Sequence, residues 1–446
     1  MERDLEADLR RWKDQEGRMP LLLRGARQVG KTYLVEKFGK AEFSELITLN
    51  FELHPEYKKC FSSLEPEKII NSIELVTGKT IKPGSTLLFF DEIQECPGAI
   101  MAMRYFKEQM PLLHLIGAGS LLEFVLNDED FRMPVGRIQF LYLRPLSFGE
   151  YLDVLGHSNL RSYLKTVHVK DTIEEVVHEK LLSLVREYCI FGGMPAVISK
   201  YLATKSALQC QELQSDILFS FRKDFGKYGK RFPQEHLETI FSKTPGIIGQ
   251  WLKYVNLDPD TSSATLKEAV KKLAKAGVIL PVYATSGAGL PFISHMNEKK
   301  LKLLFLDIGL VKRACNLDVE ILMKQDLLLI NQGGLAEQFV GQELLAYTGK
   351  KEVDTLFAWT RDSKGSQAEV DYLVAMGSYI LPIEVKAKTS GALRSLRIFL
   401  SEKKSPFGIR ISEVPFSFYD KVLSIPFYMI EQIPRLSHEL LKLVLK

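Results

Sequence analysis

Eight residues near the N-terminus limit the fold of this 446-residue chain more than any other stretch: Gly25-Ala26-Arg27-Gln28-Val29-Gly30-Lys31-Thr32. They satisfy the pattern G-x-x-x-x-G-K-[ST] at every fixed position. Glycines let the backbone curl so that successive N–H groups face one anion, and the helix that follows adds the positive end of its dipole. In such a cradle Lys31 reaches the outer phosphates of a nucleoside triphosphate, and Thr32 binds Mg²⁺. The motif works only between a strand and a helix. Here it follows the apolar run Leu21–Arg24, and Leu34, Val35 and Phe38 give the next segment an apolar helical face.

The surrounding sequence supplies the rest of a parallel α/β domain. Strands are expected at Pro20–Arg24, Leu46–Phe51, Thr86–Asp91, Leu112–Gly117 and Ile138–Leu143. Several are almost uninterrupted apolar runs, as befits strands covered on both faces. The third ends in Asp91-Glu92. Open α/β sheets bind ligands at the carboxyl ends of their strands, so Asp91 is expected to hold Mg²⁺ and Glu92 to act as general base on the attacking water. Ser120, just beyond the fourth strand, reads either as a hydroxyl near the γ-phosphate or as the cap of a helix over Leu121–Leu126. Arg137, which begins the fifth, reads either as a cation neutralising charge on the phosphate or as a surface arginine.

Taken with Arg144-Pro145-Leu146-Ser147-Phe148-Gly149-Glu150-Tyr151 and Gly192-Gly193-Met194-Pro195, these segments resemble a family of prokaryotic AAA+-type, STAND-related ATPases with a nuclease-like C-terminal domain. Lys302–Leu310, Glu369–Leu373 and Pro382–Lys386 extend the resemblance over nearly the whole chain. It implies ATP and Mg²⁺ as cofactors.

Toward the C-terminus, two strand-like segments, Glu369–Ala375 and Tyr379–Ala387, flank Gly377-Ser378. Glycine at the first of two loop positions suits a type II′ hairpin. That turn would set Asp371 opposite Glu384 and Glu369 opposite Lys386. Facing carboxylates repel, and a bound cation would relieve the repulsion. Glu337 shares a predicted helix face with Val340, Gly341 and Leu344. Asp371, Glu384 and Lys386, with Glu337 from the helix, resemble the metal-dependent PD-(D/E)xK nucleases, in which acids hold Mg²⁺ and a lysine steadies the attacking water. The competing reading is a solvated hairpin, or a nuclease-like fold kept for binding.

Between these ends the pattern is mostly helical. Ser263–Gly277 reads as a helix with Leu266, Ala269, Val270 and Leu273 on one face, and a strand and a glycine-rich turn follow. That order suggests a winged helix, serving either to enter a DNA groove or to join domains. The stretch Phe221–Phe232 interleaves lysines and arginines with rings. It would suit nucleic acid, although a solvated basic face over buried rings is the simpler reading.

The expected organisation is therefore α/β throughout: a P-loop parallel sheet over 1–155, a helical and winged-helix-like region over 156–330, and a nuclease-like domain over 331–446. ATP is the first expected partner, and DNA, a protein or a second copy of the chain come next. With 46% hydrophobic and 26% charged residues and a net charge of +4, composition is that of a soluble globular protein and does not by itself argue for nucleic acid. Five scattered cysteines build no zinc site or disulfide framework. The charged N-terminus and the lack of a long apolar run lead us to expect a cytoplasmic protein without membrane insertion.

Overall fold

A computed structural model describes residues 1–122, 124, 136–228, 232–317, 333–348, 355–361, 368–387 and 393–444. Helix α1 (Leu5–Asp14) leads into strand β1 (Leu21–Arg24), and α2 (Lys31–Glu42) follows the glycine loop. Then come β2 (Glu45–Asn50), α3 (Pro66–Thr77), β3 (Thr86–Asp91), α4 (Pro97–Gln109), β4 (His114–Ala118) and β5 (Gln139–Tyr142). All five expected strands are present. They form one parallel sheet in the order β2-β3-β4-β1-β5.

Side-chain alternation splits this sheet between two cores. Leu87 and Phe89 of β3 join one cluster, while Leu88 and Phe90 join another that includes Ile69, Ile100 and Met103. The first cluster does not stop at the P-loop domain. It runs without a break through the helical region to Phe407, Ile409 and Leu440. One face of the parallel sheet is thus packed into the same core as the rest of the chain.

The helical region comprises α5 (Phe148–Val154), α6 (Ser158–Thr166), α7 (Glu175–Phe191), α8 (Pro195–Thr204), α9 (Ala207–Lys223), α10 (Gln234–Lys243), α11 (Tyr254–Leu257) and α12 (Ser263–Lys275). Helix α12 buries Leu266, Ala269, Val270 and Leu273, as its spacing predicts. After it come β6 (Ile279–Thr285), β7 (Met296–Phe305) and α13 (Ile308–Ala314). The helix and hairpin stand in the expected order, but the hairpin is not a free wing. The outer edge of β6 pairs in parallel with β8 (Leu356–Thr360).

The C-terminal part is built from α14 (Gly334–Tyr347), β8, β9 (Glu369–Met376), β10 (Tyr379–Val385), α15 (Arg394–Lys403), β11 (Gly408–Ser412), β12 (Ser417–Tyr419), β13 (Val422–Pro426) and α16 (Ile433–Val444). Its strands continue the β6–β7 hairpin as one eight-stranded sheet, ordered β12-β13-β11-β10-β9-β8-β6-β7. The sheet therefore runs across position 330/331. Among the described residues no single helix is long and apolar enough to cross a membrane.

Candidate nucleotide site and the C-terminal acid cluster

Strand β1 ends at Arg24, and the chain turns at once into the glycine loop. Gly25 has φ 141°, and a Cβ there would lie 2.2 Å from the Leu143 carbonyl oxygen, so only glycine fits. Gly30 caps α2 with φ 94°. The Lys31 ammonium folds into the loop, donating to the carbonyls of Gly25 (2.9 Å) and Ala26 (2.7 Å). Burial lowers its pKa to about 8, against the pull of Glu92 and Asp91. A buried lysine held on backbone carbonyls is poised to exchange them for phosphate oxygens.

Thr32 donates its hydroxyl to Asp91, 3.1 Å from each carboxylate oxygen. Asp91 is buried, and that burial, reinforced by neighbouring Glu92, raises its pKa. Asn50, its register partner on β2, donates to Asp91 Oδ2 at 2.8 Å. The next residue, Glu92, sits in the left-handed region (φ 48°, ψ 47°), which turns the chain sharply at the strand end. Its carboxylate accepts from Gln94 Nε2 at 2.6 Å. Asn50 and Gln94 carry no motif signal; they are found through register and short-range geometry.

Lys31, Thr32 and Glu92 open onto a cavity of about 500 Å³ that is also lined by Met1, Tyr33, Leu146 and, from α8, Pro195 and Ser199. Arg3 braces the loop from outside, donating to Val29 O (3.1 Å) and Arg144 O (2.7 Å) and pairing with Glu150 at 3.0 Å. On the other side Arg27 pairs with Asp224, Gln28 donates to Ser220 on α9 at 3.2 Å, and Gly277 beyond α12 packs near Ala26. The loop is clamped between its own domain and the helical region.

Two other expected residues fall elsewhere. Arg137 is a correction. Parallel β5 starts level with Leu21, at the amino end of the sheet, so a residue before it lies about 20 Å from the loop. Its guanidinium bonds Glu108 at 3.2 Å and does not face the phosphate site of its own chain. Ser120 follows β4 and is half-buried, but it is not among the residues lining the cavity. The helix expected after it lies largely outside the described residues.

Sequence matching agrees with this geometry. The family described as "AAA domain" matches residues 17–152. Residues 17–152 are a P-loop domain of the AAA type. Two families, each described as a domain of unknown function, match residues 182–320 and 332–428. No curated protein matches the chain. Similar solved structures include the Orc1 protein of Aeropyrum pernix in complex with DNA, at 13% identity over 73% of this chain and 95% of that one, with a TM-score of 0.30. Cdc6p of Pyrobaculum aerophilum is 12% identical over 72% and 93%, with a TM-score of 0.27. AMPPCP-bound DnaA of Aquifex aeolicus is 10% identical over 60% and 86%, also at 0.27. At those scores they bear no weight for function.

From the AAA domain a buried polar network leads to the C-terminal sheet. Ser147 caps α5 in a reciprocal box with Glu150. The α5 amides of Phe148 and Gly149 donate to Glu343 (3.0 Å) and Tyr347 (3.0 Å) of α14. Asp307, fully buried, accepts from Gly193 N at 2.6 Å, just before the cavity-lining start of α8. Burial raises its pKa to about 6.

At the far end, the β9–β10 hairpin has the expected register, from Met376↔Tyr379 to Tyr372↔Ile383. Gly377 has φ 61° and Ser378 does not have positive φ, as a type II′ turn requires. Beyond the ladder the expected pairs are replaced. Asp371 accepts from Val385 N (2.8 Å), and Lys386 pairs with Glu384 (2.6 Å). Asp371 and Glu337 do converge, with Glu369 rather than Glu384, around a residue that carries no motif signal. The Lys302 ammonium, delivered by β7, bonds Glu337 at 2.9 Å, pairs with Glu369 and stands 3.7 Å from Asp371.

Burial works to lower the Lys302 pKa, yet Glu337, Asp371 and Glu369 together hold it above the usual lysine value. Burial, with Asp371 adding repulsion, raises the carboxyls of Glu337 and Glu384 to about 8 and about 7. Trp251 closes the cluster, donating to Glu369 Oε2 at 2.6 Å, and Gly249 packs against Glu337. Among the described residues no group of three or more His, Cys, Asp or Glu side chains could hold a metal ion. The residues present do not fit the Mg²⁺ that a nuclease site implies.

The rings of the basic stretch are likewise absorbed. Phe221, Phe225 and Tyr228 are buried, while Arg222 and Lys227 pair with Glu238 and Glu52. None of those three rings is available to stack on a base, and Phe232, half-buried, is capped by the Lys272 ammonium at 5.1 Å. Residues 229–231 lie outside the described residues.

Proposed function

We propose that this chain is an ATP-hydrolysing switch, in which nucleotide occupancy sets how the AAA domain, the helical region and the C-terminal sheet pack. The carrying observation is the single cavity that joins Lys31, Thr32 and Glu92 to Pro195 and Ser199 of α8. A triphosphate filling it would touch both sides at once.

Each residue then has a defined task. Backbone amides of Gly25–Thr32 and the start of α2 bind the phosphates. Lys31 gives up its carbonyl contacts to bind the outer phosphates. The donor set fits Mg²⁺: one hydroxyl and one carboxylate already share a site, at Thr32 and Asp91. When bound, that ion supplies charge neutralisation to the phosphate oxygens. Glu92, oriented by Gln94, takes a proton from the attacking water. Pro195 and Ser199 sense whether the cavity is filled, and Asp307 and α14 pass the change to the C-terminal sheet.

The C-terminal domain, in this reading, binds a partner and cuts nothing, because a lysine already fills its acid cluster. DNA is a candidate partner, for which exposed Lys271 and Lys275 on α12 offer charge. The test is a filter-binding titration of full-length protein on duplex DNA, with and without ATP, across salt. A nucleotide-dependent, salt-sensitive affinity supports DNA as the partner. Salt-independent or absent binding points to a protein partner. Parallel incubation with Mg²⁺ should leave the DNA uncut.

A further inference from the structure

The acid cluster shows how a fold can carry the carboxylates of a metal site without taking a metal. Glu337, Glu369 and Asp371 come from α14 and β9, and Glu384 stands at the end of β10. Side-chain exposures are 18%, 36%, 14% and 7% in that order. Several carboxylates that close and that shielded demand a cation, because burial and mutual repulsion both oppose their charge. Two candidates are present. Lys386 ion-pairs with Glu384 and acts on Asp371 from farther off. Lys302, 3% exposed, takes the other three.

We propose that Lys302 is the resident cation of this cluster, standing where a divalent ion would otherwise bind and keeping the C-terminal domain free of metal. Three features support the assignment. Its ammonium can donate three hydrogen bonds and has carboxylates on several sides, which matches donor number to acceptor number. The indole of Trp251 lies 5.4 Å from it, adding cation–π stabilisation and closing the site to solvent. The Leu252 amide bonds the Leu301 carbonyl at 2.8 Å, fixing the covering segment to the strand that delivers the lysine.

One atom remains without a partner. Glu384 Oε2 is buried and unbonded, on the side of the cluster that Lys302 does not reach. The lysine therefore satisfies most of the acids and leaves one acceptor that would serve an incoming cation once Lys302 is gone. Nothing in this arrangement depends on ATP.

The experiment uses nucleotide-free, full-length protein and Mn²⁺ as the probe, with bound Mn²⁺ counted by electron paramagnetic resonance. Wild type and Asp371→Asn should give the same count, since the cluster takes none. Lys302→Gln, which is one bond shorter and keeps hydrogen bonding but not charge, should gain one Mn²⁺ per chain, and the Lys302→Gln/Asp371→Asn double variant should lose it. Mn²⁺ should also raise the thermal midpoint of Lys302→Gln by more than that of wild type. The proposal is overturned if wild type binds a Mn²⁺ that Asp371→Asn removes, or if Lys302→Gln gains none. Should Lys302→Gln fold only with Mn²⁺ present, that dependence is itself the expected gain. If it folds in neither condition, the comparison of wild type with Asp371→Asn still decides.

Discussion

Arg27, inside the phosphate loop, is ion-paired with Asp224, which lies 197 residues further along the chain and is 7% exposed. The pair fastens the phosphate loop to the helical region. Lys227 and Glu52 extend it at 3.0 Å.

That pair should be energetically coupled. Arg27→Ala and Asp224→Ala should each lower stability by about 1–3 kcal/mol, and the double variant by less than their sum. A double-mutant cycle by chemical denaturation measures the coupling. Additive losses would show that the contact holds nothing.

Lys31 makes nucleotide affinity depend on pH. Its nucleotide-free pKa is lowered to about 8 from an ordinary 10.5, so the folded, empty protein loses this proton before the unfolded chain does. Stability is therefore penalised below pH 8, and the penalty fades as pH rises toward 10.5. A bound triphosphate favours the charged form, so ATP binding above pH 8 takes up a proton, and affinity falls by up to about tenfold per pH unit there. Calorimetry at pH 9 in two buffers of different ionisation heat should detect the uptake in wild type and not in Lys31→Met.

Glu92 and its orienting partner should separate binding from turnover. Glu92→Gln should cut kcat by about 10²–10⁴-fold and leave ATP binding nearly unchanged. Gln94→Ala should lower kcat by roughly 10–100-fold with little change in KM, as expected of a positioning residue. A matching rise in KM would instead mean that Gln94 shapes the pocket.

Much of this was legible in the sequence, for reasons that differ from site to site. A phosphate cradle is made from consecutive residues, so Gly25–Thr32 reads directly, and the apolar strand ending at Asp91 needs only its neighbour. The hairpin register as far as Tyr372↔Ile383 followed from Gly377-Ser378, because a two-residue turn sets the ladder that grows from it. Lys302 was invisible in its role because it reaches the acids only through the pairing of β6 with β8, a contact between segments far apart in sequence. Arg137 was misplaced because a residue that begins a strand of a parallel sheet lies at the end away from the ligand. Asn50 and Gln94 each reach the neighbouring acid through one hydrogen bond and leave no pattern.

The link to the C-terminal domain can be read through Glu343. Burial pushes its carboxyl up to about 8. The folded protein holds this proton more tightly than the unfolded chain, so the contribution is complete below about pH 4.5 and is lost as pH rises through 8. Glu343→Gln should remove that dependence, narrowing the stability difference between pH 5 and pH 8 by on the order of a few kcal/mol. Denaturation curves at the two pH values measure it. An unchanged difference would mean that the carboxyl is not the titrating group.

The most direct test is phosphate release from saturating MgATP by purified wild type, Lys31→Ala and Glu92→Gln. The structure predicts steady, Mg²⁺-dependent turnover by wild type and its loss in both variants, with ATP still bound by Glu92→Gln. Turnover that survives in Lys31→Ala, or a folded wild type that neither binds nor hydrolyses ATP with Mg²⁺ present, would contradict it.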